Sequence, residues 1–147
     1  MTADQQPEPN ALDRLERATA SGTWVLSLEP PQTLWWSAGT RRLFEWPDDR
    51  PVPPPEEAFQ TYTEASQAVV RNAVARAMES HQPFEFIAEA ITALGRHRFV
   101  RCTAVVEQRD GRAVLAGTLQ DIDRLYRAEA NAERLGIRLG EFEERWR

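Results

Sequence analysis

The periodicity of the sequence changes at the segment Gly117 to Asp123, which reads GTLQDID. Before this segment, apolar residues occupy every second position, which is typical of a strand with one buried face. After it, they recur in alternating steps of three and four, which is the heptad pattern of a pairing helix. The apolar positions of this seam are Leu125, Ala128, Ala132, Leu135, Leu139, Phe142 and Trp146. A strand that continues directly into such a helix can pass a conformational change onward, so the sequence favours a sensor over a catalyst.

Two more runs, 84–91 and 99–106, show the same alternation and predict strands. The turn before the last strand contains Asp110-Gly111, a strong hairpin signal. Residues 23–36 predict a hairpin of two short strands, and 63–80 predicts the longest helix of the domain. Two short strands are not stable as a separate sheet. We therefore predict an α+β fold, in which five strands form one antiparallel sheet and helices pack on one face of it.

The chain divides into three parts. Residues 1–20 are predicted to be a disordered arm and a short helix that Asn10 can cap, and this helix is one candidate to cover the second sheet face. Residues 21–123 form the domain, and residues 124–147 form the heptad helix. The seam favours a parallel homodimer, although Gly136 costs a helix interior about 1 kcal/mol relative to alanine.

Composition excludes several classes of function. The net charge is −5 and the basic residues are spread along the chain, so neither nucleic acid nor an anionic membrane is an expected partner. No apolar run approaches the ~18–20 residues of a membrane span. The single cysteine excludes an internal disulfide and suits a cytoplasmic protein, and the use of arginine without lysine suggests a bacterial source. Neither His81 nor His97 has the spacing of a metal ligand, so we predict no metal site.

The apolar face of the predicted sheet mixes small and large side chains. Small residues there leave room either for a closely packed helix or for a ligand cavity, and because protein interiors are usually filled, a packed core is the stronger expectation. Cys102 is expected to be a buried, inert thiol, with a redox-sensing thiol as the alternative. The residues that would line a ligand pocket are Trp24, Leu26, Phe86, Ala88, Ala90, Val100, Cys102, Ala104, Leu115, Gly117 and Leu119.

The order of these elements, together with short sequence motifs at equivalent positions, resembles the PAS domain. Within that family it resembles the common bacterial sensor subtype. The resemblance spans about Ser21 to Ala128. Two departures are Tyr62 to Ser66, where that subtype often has His-Pro-Glu-Asp, and the proline run Pro51 to Pro55. The matching words are Gly22-Thr23-Trp24, Trp36-Ser37 leading to Arg42-Leu43-Phe44, Phe99-Val100-Arg101, Arg109-Asp110-Gly111-Arg112 and the segment Gly117 to Asp123.

The resemblance also implies roles for the junction residues. Leu119 occupies the strand position where such sensors often couple a ligand to the exit helix. Asp121 would bond within the domain and tie strand to helix, with an arginine as its natural partner. From its position before the helix, Asp123 is predicted to be the N-cap. Asp121 and Asp123 together are the predicted signal relay.

The cofactor remains unknown from sequence. The haem-binding branch of PAS domains carries a histidine on the long helix, and residues 63–80 contain none. The light-sensing branch carries an Asn-Cys-Arg-Phe-Leu-Gln word, which is absent here. Haem and photoreactive flavin are therefore not expected, whereas a small-molecule ligand of another kind stays open.

We interpret the chain as a PAS-type sensory or protein-interaction module for signal transduction. It would dimerise and relay ligand or partner binding through its last helix to an effector such as a histidine kinase or diguanylate cyclase, in cis or in trans. One alternative is a ligand-free dimerisation adaptor. A small α+β enzyme or ligand carrier is the other alternative, but it requires a polar pair in the cavity. The predicted inward residues contain no such pair, so we expect no enzymatic activity.

Overall fold

The computed structural model describes residues 10–136, and its elements follow the predicted order. None of the helices within that range is long and apolar enough to cross a membrane. The elements are α1 (Ala11–Thr19), β1 (Ser21–Ser27), β2 (Leu34–Trp36), α2 (Ala38–Leu43), α3 (Pro55–Phe59), α4 (Glu64–Ser80), β3 (Phe84–Ile91), β4 (His97–Arg109), β5 (Arg112–Asp121) and α5 (Asp123–Arg134).

The five strands form one antiparallel sheet in the order β2-β1-β5-β4-β3. The early hairpin joins the later three strands through the pairing of β1 with β5, in which Trp24 lies opposite Gly117. The predicted five-stranded antiparallel sheet is therefore confirmed. This order places the first and last strands of the domain side by side at its centre.

The turn between β4 and β5 has the geometry that its sequence predicts. Arg109 pairs with Arg112, which leaves a two-residue loop. Both loop residues have positive φ, 51° at Asp110 and 77° at Gly111. Positive φ at both positions defines the type I′ turn that Asp-Gly favours. This turn fixes the register of the two longest strands.

The core lies between one face of the sheet, called the inner face below, and the helices α2 and α4. Phe44, at the end of α2, is 1% exposed and stacks on Trp36 of β2 with ring centroids 4.9 Å apart. Val70 and Ala77 are the buried residues of α4. In β1, buried residues alternate with partly buried ones, as period two requires.

Helix α1 does not cover the opposite, outer face of the sheet, so that prediction was wrong. It packs instead against α2 and β1, because Glu16 is buried there. Its carboxylate accepts hydrogen bonds from Ser37 Oγ at 2.7 Å and from the Gly39 amide at 3.1 Å. Asn10 stands at the N-cap position, but its side chain makes no capping hydrogen bond.

The outer face consequently keeps apolar side chains in solvent. Trp35 is 51% exposed, Val105 45% and Ile87 43%. Trp35, Val25, Ala116 and Val105 follow one another across four neighbouring strands, since each is paired with the next. We call these four residues the outer apolar row.

The last helix is shorter than the heptad pattern predicts. Helix α5 ends at Arg134, and Gly136 has a φ of 80°, which interrupts the helical backbone. A single unbroken helix over 124–147 is therefore wrong. Within α5 and its C-cap, the seam residues Leu125 and Leu135 are exposed, whereas Ala132 is buried. Leu139, Phe142 and Trp146, as well as the predicted disordered arm before Asn10, lie outside the described residues.

Candidate ligand cavity and output joint

A small apolar cavity of about 70 Å³ lies between the inner face of the sheet and the helices α3 and α4. An apolar cavity of ~150 Å³ holds benzene, and drug-sized ligands occupy ~300–1,000 Å³. The cavity therefore suits a molecule of only a few non-hydrogen atoms. It is lined by Trp24, Leu26, Leu34, Trp36, Phe44, Pro55, Ala58, Phe59, Thr61, Tyr62, Val70, Val74, Phe84, Phe86, Cys102 and Leu119.

The sequence-predicted pocket residues all lie on the inner face, but only some of them reach the cavity. The residues that line it are Trp24, Leu26, Phe86, Cys102 and Leu119. Those that do not line it are Ala88, Ala90, Val100, Ala104, Leu115 and Gly117. The first five of these six are buried in the core, at 3% exposure or less.

Gly117 leaves no space for a ligand because Trp24 already occupies the position above it. A Cβ atom added to Gly117 would lie 2.6 Å from Trp24 Cζ2 and would also overlap the Thr103 carbonyl. The missing side chain thus lets the indole lie flat on the strand. Gly117 thus sets the position of Trp24, the largest side chain that β1 contributes to the cavity.

The segment that leads into α4 pairs with the backbone of β3 next to Ala88 and Ala90. Tyr62 forms a β-bridge with Ala90, and the Thr63 amide donates to the Glu89 carbonyl at 3.0 Å. Ser66 Oγ accepts a hydrogen bond from the Glu89 amide at 2.8 Å. Ala88 and Ala90 are fully buried and do not line the cavity, so they belong to the packed core.

The helical wall of the cavity was not predicted, because the sequence pattern identified pocket residues only on strands. That wall includes Phe44, Tyr62 and Val70. Val70 belongs to the apolar stripe of α4, a signal that could have identified it. Tyr62 precedes the helix in an irregular segment. No periodic pattern there predicts the direction in which its side chain points.

The polar groups of the cavity wall are few and are poorly solvated. Trp24 Nε1 is buried, and the Cys102 sulfur beside it is a weak acceptor outside ideal hydrogen-bond geometry. Burial raises the pKa of Cys102 to about 12, and the adjacent Trp24 indole opposes this increase only in part. Burial, and to a lesser degree Cys102, also raises the pKa of Tyr62. Both groups are therefore uncharged at neutral pH, and Cys102 is not an activated nucleophile.

Of the two junction aspartates, Asp121 ties the strand to the helix by a hydrogen bond, whereas Asp123 does not have its predicted role as N-cap. Asp121 Oδ1 accepts a hydrogen bond from the Asp123 amide at 2.9 Å, so Asp121 satisfies a free amide at the start of α5. Asp123 is the first helical residue and not the N-cap, and its Oδ1 accepts from the Phe99 amide at 3.0 Å. The arginine expected for Asp121 instead pairs with Asp123: Arg127 Nε lies 2.9 Å from Asp123 Oδ2. Among the described residues, Asp121 makes no ion pair.

Phe99 of β4 is the main docking point for α5. Its carbonyl accepts from the Ile122 amide at 3.0 Å, and its ring stacks on Tyr126 with centroids 3.8 Å apart. The Arg127 guanidinium lies 5.4 Å from the centre of the same ring. The start of α5 is therefore held at one end of β4 by hydrogen bonds with the Phe99 backbone and by the contacts of Tyr126 and Arg127 with the Phe99 ring. We call Phe99, Asp121, Asp123, Tyr126 and Arg127 the output joint.

The electrostatics of the joint favour the charged form of Asp123. Burial alone would raise its pKa, but the hydrogen bonds from Arg127 and from the Phe99 amide outweigh burial, and the pKa is lowered. The same pair raises the pKa of Arg127, chiefly through its hydrogen bond to Asp123. The ion pair is therefore complete at neutral pH.

Structural comparison identifies the fold. A solved chain of a sensory box histidine kinase/response regulator from Burkholderia thailandensis is similar with a TM-score of 0.67 and 14% identity, over 90% of this chain and 97% of that one. The N-terminal domain of a diguanylate cyclase with a PAS/PAC sensor, from Marinobacter aquaeolei, has a TM-score of 0.62 and 18% identity, over 72% of this chain and 98% of that one. A PAS domain from Colwellia psychrerythraea has a TM-score of 0.58 and 14% identity, over 77% and 98%.

The chain therefore has the fold of PAS domains, and the resemblance found in the sequence is confirmed at the level of fold. No protein-family model and no curated protein matches the sequence.

Proposed function

We propose that this chain is a PAS-type sensory module that relays occupancy of its cavity to helix α5. One observation carries the proposal: Leu119, which lines the cavity, lies two residues before Asp121, which holds the first amide of α5. A strand is stiff over so short a distance. A ligand that displaces Leu119 therefore displaces the hydrogen bond at the start of the helix as well.

The second connection runs through β4. Cys102 lines the cavity opposite Leu119, and Phe99 docks α5 three residues earlier on the same strand. Two of the strands that line the cavity, β4 and β5, thus contact the start of the helix. Allosteric coupling of this kind requires two arrangements of the joint that differ in affinity for the ligand.

Hydrogen exchange of the purified chain tests this relay without knowledge of the ligand. Leu119→Phe partly fills the cavity and Leu119→Ala enlarges it. We expect the two variants to change the exchange rates of the Ile122 and Tyr126 amides in opposite directions. Thr118→Val is the matched control, because Thr118 lies on the exposed outer face one residue away.

Unchanged exchange at α5 in both Leu119 variants, measured while the sheet amides remain protected, would contradict the relay. Opposite shifts at α5 that are absent from the Thr118 control would support it. Protection of the sheet amides separates coupling from general loss of stability.

The effector of this module is proposed to be a signalling enzyme such as a histidine kinase or a diguanylate cyclase, joined in cis or contacted in trans. The solved chains with this fold named above include one of each. We assign no catalytic activity to the chain itself. The uncharged Cys102 thiol and the scarcity of polar groups in the cavity support this assignment.

A second candidate function is that of a ligand-free dimerisation adaptor. The exposed outer apolar row supports it, and so does the small cavity. The homodimer of this candidate, like the dimer proposed for the sensor, would use the outer face together with α5. The cytoplasmic location remains a prediction from the single free cysteine.

A further inference from the structure

The walls of the cavity are almost wholly apolar. None of the described residues that line it is charged, and a charged molecule would lose its hydration there without compensation. The rings of Trp36, Phe44 and Phe86 and the aliphatic side chains of Leu26 and Val70 all contribute to the lining. An occupant is therefore held by dispersion contacts and by the removal of its apolar surface from water.

The polar groups of the lining residues give a polar occupant little compensation for leaving water. Trp24 Nε1 has almost no accessible surface and lies beside the Cys102 sulfur. The Thr61 hydroxyl already donates to the Ala58 carbonyl at 2.6 Å. Burial raises the pKa values of Cys102 and Tyr62, so neither offers a charge. A molecule without hydrogen-bonding groups loses nothing by entering such a space.

The volume of the cavity limits the size of its occupant. An apolar cavity of ~150 Å³ holds benzene, so about 70 Å³ accommodates roughly three non-hydrogen atoms. A water molecule needs several polar partners to occupy a cavity, and these walls provide few. The space therefore suits a small apolar molecule better than it suits water.

Helix α3 gives such a molecule a way in, because it is held less firmly than the sheet. It has five residues, none of them buried, and it contributes Pro55, Ala58 and Phe59 to the cavity wall. Arg71 of α4 contacts it through an ion pair with Glu56 at 2.8 Å and lies 4.6 Å from the centre of the Phe59 ring. The ion pair is exposed, and exposed pairs contribute little to stability. Small movements of α3 can therefore admit the occupant.

We propose that the cavity binds a light hydrocarbon of about three non-hydrogen atoms and selects it over polar molecules of the same shape. This inference rests on the proposed sensory function and specifies its ligand class. The selectivity follows from the cost of removing a hydrogen-bonding group from water, which the walls of this cavity do not offset.

Two gases of matched shape test the inference. Propane and dimethyl ether have the same bent shape, and they differ only in a central methylene group that the ether replaces with an oxygen atom. Each is dissolved at increasing pressure in a solution of the ¹³C-labelled full chain, while the methyl resonances of Val74 and Leu119, which both line the cavity, are recorded. We expect propane to shift these resonances to saturation and to bind at least about tenfold more tightly than the ether.

The same substitution at two positions of α4 tests the location of the site. Val74 lines the cavity, so Val74→Phe fills it and should abolish the binding of propane. Val69 is 42% exposed on the same helix, and Val69→Phe should leave the affinity unchanged. Should Val74→Phe fail to fold, the comparison of the two gases on the unmodified chain still decides the question.

Equal affinity for both gases, tighter binding of the ether, binding of neither, or unaltered propane binding by a folded Val74→Phe variant would overturn the inference. These results are independent of the exchange experiment on Leu119, which uses no ligand. If propane fails to bind while the Leu119 variants still alter α5, the relay stands and the ligand class is wrong. If propane binds as expected while the Leu119 variants leave α5 unaffected, the ligand class stands and the relay is wrong.

Discussion

Gly117 illustrates how one atom can set the geometry of the cavity. Its lack of a Cβ lets the Trp24 indole lie against β5, and the indole in turn fills the space that a small residue would otherwise leave for a ligand. From sequence, a glycine on an apolar strand face indicates only that something approaches closely. What approaches, a ligand or a neighbouring side chain, depends on the pairing register, and here it is the cross-strand partner.

We expect Gly117→Ala to destabilise the domain by about 1–3 kcal/mol, since the new methyl group would overlap Trp24 and the Thr103 carbonyl. Gly95→Ala is the control. Gly95 has open space around its Cβ position but a φ of 81°, so only backbone strain of about 1 kcal/mol is expected. Chemical denaturation of both variants measures the difference, and equal destabilisation would contradict the packing argument.

Asp123 makes the output joint sensitive to acid. Because its pKa is lower in the folded chain than in the unfolded one, its stabilising effect is complete above the unfolded pKa of ~3.9. That effect is lost as the pH falls through the folded value. We expect the Asp123 carboxyl, followed by ¹³C NMR, to titrate below its ordinary range.

In Arg127→Gln the same carboxyl should titrate at a higher pH, because the hydrogen bond from Arg127 is among the causes of the lowered pKa. An Asp123 pKa unaffected by this substitution would show that the ion pair does not control the joint.

The first amide of α5 donates a hydrogen bond to Asp121, the last residue of β5. Asp121→Ala removes the acceptor for the Asp123 amide and should weaken the first turn by about 1 kcal/mol. Asp121→Asn keeps an acceptor at the same position and should retain most of the stability. Faster exchange of the Asp123 amide in the alanine variant alone is the expected result. Equal exchange in both variants would remove Asp121 from the joint.

The buried carboxylate of Glu16 attaches helix α1 to the start of α2. Glu16→Ala would leave the Ser37 hydroxyl and the Gly39 amide without their acceptor, at a cost of about 1–3 kcal/mol. Glu16→Gln keeps one acceptor oxygen and should fall between the alanine variant and the unmodified chain. Denaturation midpoints test this order, and an alanine variant as stable as the glutamine variant would contradict it.

Element order was predictable because strands and long helices carry periodic patterns. The three long strands, the Asp110-Gly111 turn and α4 follow directly from such patterns. The position of α1 was not predictable, since it depends on Glu16, a charged residue whose type favours the surface. The N-cap prediction for Asp123 was wrong because its carboxylate accepts from the Phe99 amide on a neighbouring strand, a contact that the local sequence does not reveal.

The cavity was predictable on its sheet side only. Alternation assigns Trp24, Cys102 and Leu119 to one face, and the structure brings these three together. The helical side depends on how a proline-rich segment and α3 fold back over the sheet, which no local pattern in 51–62 specifies.

The outer apolar row is the surface proposed above for contact with a second copy of the chain. Trp35→Arg places a charge in this row and should shift the dimer proposed above toward monomer, as measured by analytical ultracentrifugation. Leu94→Arg is the matched control, because Leu94 is 67% exposed on the hairpin between β3 and β4. A dimer that persists in Trp35→Arg would exclude the row from the interface.

The interruption of the helical backbone at Gly136 limits the kind of motion that α5 can transmit from the domain. A helix transmits axial rotation only while its hydrogen-bond ladder is continuous, and that of α5 stops after twelve residues. Over this length of about 18 Å the helix acts as a short lever, so a tilt of about 10° at the joint moves its far end by about 3 Å. The output of this domain is therefore expected to be a sideways displacement, not a torque.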